Sequence, residues 1–195
     1  MRTATITRTT KETDIALQLN LDGSGKTSLN TGVGFFDHML DALSRFALLD
    51  LTLTCRGDTQ VDAHHTVEDA GICLGRAIRE ALGDRAGIRR VGSAYLPMDE
   101  ALAFAAIDIS GRPYLTFDAE FTAPMVGAFD TQLAEEFFRA VAVNAGLTAH
   151  VKVLAGRNDH HNLEALFKAF GLALRDAAAV DPRVTGVLST KGALD

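Results

Sequence analysis

Apolar and polar residues alternate in the first part of the chain, which is the pattern of half-buried β-strands. The alternation covers residues 2–9 and 13–21 and is clearest in the segment IALQLNL. The turn-rich segment LDGSGKTSLNTGVG comes next, and the segment LLDLTLTC further along returns to alternation. We therefore expect two antiparallel strands, then a loop, and a further strand later in the chain.

Two segments in this part of the chain have helical periodicity instead. Apolar residues recur at intervals of three and four from Phe35 to Phe46 or Ala47, which predicts a first helix. A second helix is predicted to begin near His64 and to end at Gly83, because glycine commonly terminates helices. The apolar stripe of this second helix consists of Val67, Ala70, Gly71, Leu74, Ile78, Ala81 and Leu82.

The second part of the chain repeats this order of elements. Strands are predicted for AYLPMDEALAFAAIDI, RPYLTFDAEF and LTAHVKVLAG, and helices for LAEEFFRAVAVNAG and HHNLEALFKAFGLALRDA. The sequence therefore predicts an α+β fold, made by tandem duplication of a β-β-α-β-α half, with two sheets packed with helices. We expect a single domain with two pseudo-repeats, about residues 1–87 and 93–180, followed by a C-terminal tail.

Composition and charge narrow the class of protein. The chain has 195 residues, of which 47% are hydrophobic and 23% charged, so it can bury a core. Its net charge of -6 argues against nucleic-acid or anionic-membrane partners. Cys55 and Cys73 are too few for a disulfide framework, and the chain lacks both an apolar signal sequence and the ~20 apolar residues of a membrane span. We expect a soluble cytoplasmic protein.

The strongest chemical signal is a repeated His-His-x-x-Glu motif. It occurs as His64, His65 and Glu68, and again 96 residues later as His160, His161 and Glu164. Residues four apart lie on one face of a helix, so the first histidine and the glutamate of each motif can bind one metal ion. The second histidine is rotated by about 100° around the helix axis, so each helix is expected to serve two ions. The alternative, capping or solvated surface histidines, suits one isolated pair better than two.

Two further histidines complete the proposed metal shells. His38 lies in FFDHML near the start of the first helix, and His150 lies on the polar face of the strand LTAHVKVLAG. One ion is expected to take His64, Glu68, one of the pair His160/His161, and His38 or His150, and the other ion takes the mirror arrangement. By the rotation argument, His65 and His161 are the ligands that cross to the other ion. Such nitrogen-rich shells suit Zn, Fe or Mn, and spacing does not choose among them.

Basic and hydroxyl side chains form a candidate phosphate site. Lys168 lies four residues after Glu164, Arg90 and Arg112 flank predicted strands, and the tail contains the segment STKG, residues 189–192. Guanidinium, ammonium, hydroxyl and backbone N–H groups all suit a phosphate, so we select Arg90, Arg112, Lys168, Ser189 and Lys191 as candidates. The alternatives are solvated surface groups and a frayed chain end.

Two carboxylates outside the metal motifs occupy similar places in the two halves. Glu12 and Asp99 are candidates for proton transfer, although turn residues that cap a strand would look the same. The segment GSGKT is similar to a phosphate-binding loop, but Asn20 stands where that loop needs glycine. We interpret this segment as a hairpin turn, which argues against an ATPase.

These motifs resemble those of the imidazoleglycerol-phosphate dehydratase family of histidine biosynthesis, in order and over nearly the whole chain. The resemblance rests on FFDHML, AHHTVEDAGICLG, PMDEAL, DISGRPY, NDHHNLEALFKA and PRVTGVLSTKG. There are small departures: VGSAY replaces a more usual aromatic-Gly-Asp run, Leu188 stands where proline is common, and Gly171 interrupts the last helix. No functional position of the family is missing.

The resemblance implies a manganese enzyme, with two Mn²⁺ per active site and other divalent metals possible, that converts imidazole glycerol phosphate into imidazole acetol phosphate. It implies a homo-oligomer, a 24-subunit shell built from trimers. The implied metal ligands are His38, His64, His65, Glu68, His150, His160, His161 and Glu164. The implied substrate contacts are Glu12, Arg90, Arg112, Lys168, Ser189 and Lys191, with Asp99 near the reacting carbons.

The implied reaction agrees with the chemistry of these residues. Removing water from an unactivated carbon needs an electron sink, and the substrate's imidazole can serve if metal binding converts it into an imidazolate. Our hypothesis is that the imidazolate expels the hydroxyl through a diazafulvene-like intermediate, and that Glu12, Glu164 or Asp99 then moves the neighbouring carbon-bound proton. The sequence does not assign these steps to individual carboxylates.

Two other functions fit parts of the pattern. A di-metal phosphohydrolase would also need metals and basic residues, but such sites usually use bridging aspartates, whereas histidines dominate here. A metal-storing shell would not need the basic residues. Because one helix directs its ligands along two directions, we expect the metals to lie between subunits and to link them.

Overall fold

The computed structural model describes residues 1–194, which form an α+β fold of ten strands and four helices. The elements of the first half are β1 Thr3–Thr9, β2 Thr13–Asn20, β3 Thr27–Asn30, α1 Gly34–Ala47, β4 Asp50–Gly57 and α2 His64–Leu82. Those of the second half are β5 Val91–Met98, β6 Ala101–Asp108, β7 Tyr114–Asp118, β8 Met125–Val126, β9 Phe129–Asp130, α3 Leu133–Ala145, β10 Thr148–Ala155 and α4 Asp159–Ala178. The predicted α+β architecture and all four predicted helices are confirmed.

The two halves build sheets with the same strand order. The first sheet has the order β1-β2-β4-β3, and the second has the order β5-β6-β10-β7. In both sheets the outer hairpin is antiparallel, and the last strand of the order pairs in parallel with its neighbour. The alternation in β2 buries Ile15, Leu17 and Leu19 on one face, as the sequence pattern predicts.

The first half has one strand more than the predicted β-β-α-β-α order, and the second half has three more, because one predicted strand is split in two and the short strands β8 and β9 precede α3. In the first half the additional strand is β3, which lies inside the segment expected to be a loop. The interpretation of GSGKT as a hairpin turn is wrong, because β2 and β3 are not neighbours and β4 lies between them. In the second half the segment AYLPMDEALAFAAIDI folds into two strands that turn at Asp99 and Glu100.

The four helices pack between elements of both halves. Helix α2 contacts β1 and β2 of the first sheet, and α4 contacts β5 and β6 of the second. The halves are joined by two helix pairs, α1 with α4 and α2 with α3. The buried side chains of both halves form one continuous hydrophobic cluster. None of the helices within residues 1–194 has the length and apolar character needed to cross a membrane.

Glycines allow these helix pairs to approach closely. A Cβ atom at Gly171 of α4 would lie 2.5 Å from the Leu43 carbonyl oxygen of α1. A Cβ atom at Gly75 of α2 would lie 2.7 Å from the Val141 carbonyl oxygen of α3. Gly171 therefore does not interrupt α4, which continues to Ala178. It lies where two helix backbones meet.

Candidate metal and substrate-binding site

The first turns of α2 and α4 position the two histidine pairs. At the start of α4 the Asn158 side chain accepts hydrogen bonds from the backbone N–H groups of His160 (3.0 Å) and His161 (3.3 Å). At the start of α2 the Asp62 carboxylate accepts a hydrogen bond from the backbone N–H of His64 at 2.7 Å. These contacts fix where each helix begins and therefore the direction in which its histidines project.

Three of the predicted metal ligands converge in one cluster. His38 of α1 and His160 of α4 place their Nε2 atoms 3.3 Å and 3.2 Å from the same oxygen, Oε2 of Glu164. One ligand atom from each of the three residues lies within 4.8 Å of the others. The close approach of α1 to α4 brings His38 to the other two. Two imidazole nitrogens and one carboxylate oxygen are a donor set that suits Mn, Fe or Zn.

Lys168 binds the other oxygen of this carboxylate. Its Nζ lies 2.6 Å from Oε1 of Glu164, one helical turn away, and 5.2 Å from the centre of the Phe46 ring. Burial disfavours ionisation of Glu164, but the hydrogen bond and charge of Lys168, with His38, hold its pKa below the usual range. Glu164 is therefore ionised and can offer Oε2 to a cation.

The corresponding pair of the first half is more open. His64 Nε2 lies 3.9 Å from Oε2 of Glu68, and both side chains are 44% exposed. His64 also lines a cavity of about 500 Å³ together with Gln132, which precedes α3, and Glu136 of α3. Within residues 1–194 the only group of three or more convergent metal-binding side chains is that of His38, His160 and Glu164. A single chain thus gathers three ligands at one place and two at another.

In each pair the Nε2 atoms of the two histidines face different carboxylates. The rings of His64 and His65 are 6.1 Å apart at an interplanar angle of 85°, and those of His160 and His161 are 6.2 Å apart at 82°. Each pair therefore presents two imidazoles in nearly perpendicular planes. This arrangement suits two separate ions for each helix.

Each of these second histidines has a carboxylate on both sides. His65 Nδ1 lies 3.0 Å from Asp58 Oδ2, and its Nε2 lies 3.7 Å from Glu12 Oε1. The hydrogen bond to Asp58 raises the pKa of His65. Glu12 thus lies beside a candidate ligand, at the turn between β1 and β2.

In the second half the two carboxylates come from one turn. His161 Nδ1 lies 2.8 Å from Glu100 Oε2, and its Nε2 lies 3.8 Å from Asp99 Oδ2. The hydrogen bond to Glu100 raises the pKa of His161. The same bond, followed by that from the backbone N–H of Asn158, lowers the pKa of Glu100 to about 2. Asp99 therefore corresponds in position to Glu12.

The sequence reasoning missed Asp58 and Glu100. Glu100 is adjacent to the candidate Asp99 in PMDEAL, and Asp58 follows β4, so both stood beside segments already selected. The signal that could have found them is chemical, because a metal-binding histidine usually donates its second N–H to a carboxylate or carbonyl. Spacing alone could not, because these partners lie 7 and 61 residues from their histidines.

His150 lies apart from the other histidines. Its neighbours in β10, Ala149 and Val151, are buried, so His150 occupies the exposed face of the second sheet. In the sheet it pairs with Ala106 and Thr116. It is not a member of the cluster formed by His38, His160 and Glu164.

Four of the six predicted substrate-binding residues line one cavity near the C-terminal tail. Its volume is about 610 Å³, and the four residues are Arg90, Arg112, Ser189 and Lys191. Arg90 is already engaged: it binds Asp108 through Nε at 2.7 Å and Nη2 at 3.0 Å, and donates through Nη1 to the Leu188 carbonyl at 2.8 Å. Arg90 therefore holds the tail in place. The other two candidates, Glu12 and Lys168, lie beside the histidines.

Comparison with known proteins gives one consistent result. A sequence model of the family described as "Imidazoleglycerol-phosphate dehydratase" matches residues 31–174. A protein of that name from Symbiobacterium thermophilum is 63% identical over 99% of this chain and 93% of its own length. Another from Ruminiclostridium cellulolyticum is 58% identical over the full length of both chains.

Solved structures agree with the sequence matches. The crystal structure of imidazoleglycerol-phosphate dehydratase from Staphylococcus aureus is 42% identical, with a TM-score of 0.84, and the alignment covers 92% of this chain and 99% of that one. The structure of the Pyrococcus furiosus protein in complex with (S)-C348 is 39% identical, also with a TM-score of 0.84, over 97% of this chain and 100% of that one.

Proposed function

Because the chain belongs to the imidazoleglycerol-phosphate dehydratase family, whose members are hydro-lyases of histidine biosynthesis, we propose that it converts D-erythro-imidazole glycerol phosphate into imidazole acetol phosphate and water. The observation that carries the proposal is the meeting of His38, His160 and Glu164, since an unreactive C–O bond needs more than a general acid and base. The two buried, unpaired cysteines fit the cytoplasm as its location.

We propose that the activity depends on a divalent metal, Mn²⁺ by resemblance to the family. The residues fit such an ion: Glu164 is ionised, its Oε2 faces two imidazole nitrogens, and Lys168 occupies the oxygen that points away. When bound, the metal would favour loss of the ring proton from the substrate's imidazole; the electron-rich ring could then expel hydroxide and afterwards accept the electron pair of the neighbouring C–H bond. His64, His65, Glu68, His150 and His161 are the further ligands that we propose.

The cavity beside the tail is the proposed phosphate site. Arg112, Ser189 and Lys191 bring a guanidinium, a hydroxyl and an ammonium group to one cavity, and all three groups bind phosphate oxygens. Arg90 contributes by holding the Leu188 carbonyl and therefore the conformation of the tail. Lys168 is already paired with Glu164. We therefore propose that its main role is to hold this carboxylate and that contact with the substrate is a secondary role.

Proton transfer is assigned to the more exposed carboxylates. Glu164 is held by Lys168 and faces two imidazoles, so we expect it to act as a ligand rather than as a base. The Glu12 and Asp99 side chains are 52% and 79% exposed and face the Nε2 atoms of His65 and His161. They can therefore reach a substrate that lies next to these imidazoles.

We propose that complete active sites form between copies of the chain. The ligands within one chain lie at separate places, and His150 occupies the exposed face of a sheet. A second copy can supply the missing ligands to each partial set. The family resemblance gives this assembly as a 24-subunit shell.

The experiment is an assay of Mn-loaded protein with imidazole glycerol phosphate. We expect an enolizable ketone product that retains its phosphate, with activity that is lost on chelation and restored by Mn²⁺. Release of inorganic phosphate instead would identify a phosphohydrolase. Binding of many metal ions per chain without turnover would identify a storage protein.

A further inference from the structure

The histidines that follow His64 and His160 are held by carboxylates from unrelated parts of the fold. Asp58 comes directly after β4 and reaches His65 at the start of α2. Glu100 lies in the turn between β5 and β6 and reaches His161 at the start of α4. The repeat does not explain this agreement, because the two carboxylates do not occupy corresponding positions. The two halves therefore form the same kind of contact with carboxylates from different elements.

In both contacts the carboxylate meets the same ring nitrogen. The acceptors lie 3.0 Å and 2.8 Å from the Nδ1 atoms of His65 and His161. A carboxylate accepts hydrogen bonds only, so Nδ1 must carry the proton. In a neutral imidazole the other nitrogen, Nε2, then has a free lone pair.

The Nε2 atoms are directed toward open, acidic surroundings. They lie 3.7 Å from Glu12 and 3.8 Å from Asp99, which is beyond hydrogen-bond distance. The His64 and His160 rings also turn their Nε2 atoms toward carboxylates, those of Glu68 and Glu164. All four imidazoles thus present the same nitrogen to the region where a cation would lie.

Both carboxylates are themselves fixed in place. Glu100 Oε1 accepts hydrogen bonds from the backbone N–H groups of Arg157 at 3.2 Å and Asn158 at 2.8 Å, which leaves Oε2 for His161. Asp58 is held through its backbone, since its N–H donates to the Glu12 carbonyl at 3.0 Å and its carbonyl accepts from Val61 at 2.8 Å. Neither contact resembles a mobile surface ion pair.

We propose that Asp58 and Glu100 are positioning residues that hold His65 and His161 in the Nδ1–H tautomer, with Nε2 directed at the metal. The inference rests on the proposed metal dependence. Partners of this kind typically contribute 10–100-fold to metal affinity. Asp58→Ala and Glu100→Ala should therefore raise the Mn²⁺ dissociation constant by about 10–100-fold, while Asp58→Asn and Glu100→Gln, which keep an acceptor oxygen, should recover part of that loss.

The test is titration of substrate-free protein with Mn²⁺, in which electron paramagnetic resonance measures the free aqueous ion. Asp84→Ala is the matched control, because within residues 1–194 Asp84 accepts a hydrogen bond only from the backbone N–H of Ala86, outside the histidine region. A double-mutant cycle tests whether Asp58 acts through its histidine: on a His65→Ala background, Asp58→Ala should change the affinity little further. Thermal unfolding checks that every variant is folded.

Folded Ala variants that bind Mn²⁺ within twofold of the wild type would overturn the positioning role and leave the proposed function intact. If the Ala variants do not fold, Asp58→Leu and Glu100→Leu, which keep side-chain bulk but no acceptor oxygen, decide by the same criterion. An additive effect of Asp58→Ala on the His65→Ala background would also overturn it. A wild-type protein that binds no Mn²⁺ would overturn the proposed metal dependence and this inference together.

Discussion

Replacing Gly171 by alanine tests whether the contact between α1 and α4 brings His38 to His160 and Glu164. The new Cβ atom would lie 2.5 Å from the Leu43 carbonyl oxygen, whereas ordinary contacts begin near 3.4 Å. It would also lie 3.2 Å from the backbone nitrogen of Ala47. Both neighbours are backbone atoms and cannot rotate away, so α1 must move by up to about 0.9 Å. His38 lies on α1, and its contact with Glu164 would change with this movement.

Two opposing terms set the size of the effect. Alanine is favoured over glycine inside a helix by about 1 kcal/mol. Overpacking a tightly packed interior costs about 1–3 kcal/mol. The contact distance is too short by a large margin and the neighbours are backbone atoms, so we expect the overpacking term to dominate. The free energy of unfolding should fall by about 1–2 kcal/mol, or Tm by about 2–8 °C for a chain of this size. Mn²⁺ affinity should also fall, since the geometry of His38, His160 and Glu164 is disturbed.

The assay is thermal unfolding at fixed protein concentration, since assembly makes Tm concentration-dependent, together with Mn²⁺ titration. Gly34→Ala is the control: it lies at the start of the same α1 helix, and a Cβ atom there would meet nothing within 4 Å. We expect that variant to be at least as stable as the wild type. A Gly171→Ala protein with unchanged stability and Mn²⁺ affinity would refute the reasoning.

Three further predictions concern the site directly. His64→Ala or His160→Ala should abolish turnover, because each removes one of a few nitrogen ligands; near-normal rates with stoichiometric Mn²⁺ would contradict the assignment. Arg112→Ala and Lys191→Ala should mainly raise KM, since phosphate contacts are made equally in the ground and transition states, and a loss confined to kcat would argue against them. Chelation at neutral pH should reduce the particle toward trimers in light scattering, as should acid, because ligation requires neutral imidazole. An unchanged mass after complete metal removal would exclude metal-linked assembly.

Elements with strong periodicity were predictable from the sequence, and the weakly buried ones were not. The apolar stripe of α2 and the alternation of β2 face the core, so the order of apolar residues predicts which positions are buried. Strand β3 has four residues, none of them fully buried, and pairs only along the edge of its sheet. Strand β3 is held by backbone pairing with β4, which does not require apolar side chains and so leaves no hydrophobic pattern in the sequence. The turn at Asp99 was hidden because apolar residues continue on both sides of it.

Within the candidate site, contacts inside one helix were also predictable from the sequence, and contacts between elements were not. The spacing of His160 and Glu164 predicts their contact, because both lie on one helix. The contact of His38 with Glu164 depends on how closely α1 approaches α4, and that of His161 with Glu100 depends on where a strand turn meets a helix start. Such contacts are decided by tertiary packing. Tertiary packing also decides the contacts of Arg90. A guanidinium group suggests phosphate binding, but Arg90 binds Asp108 and the carbonyl of Leu188 in the tail.

The pairing of α1 with α4 and of α2 with α3 has the arrangement of a symmetric dimer enclosed in one chain. In a homodimer of half-length chains, one substitution would change both contacts at once. Here the two are encoded separately: Gly75 and Gly171 have stayed alike, while Ile72 and Lys168, each four residues after the motif glutamate, differ. Among residues 1–194, Glu164 therefore has an ammonium partner and Glu68 has none. Joining the halves allows one chain to carry two related histidine–glutamate pairs with different electrostatics, which exact symmetry would forbid.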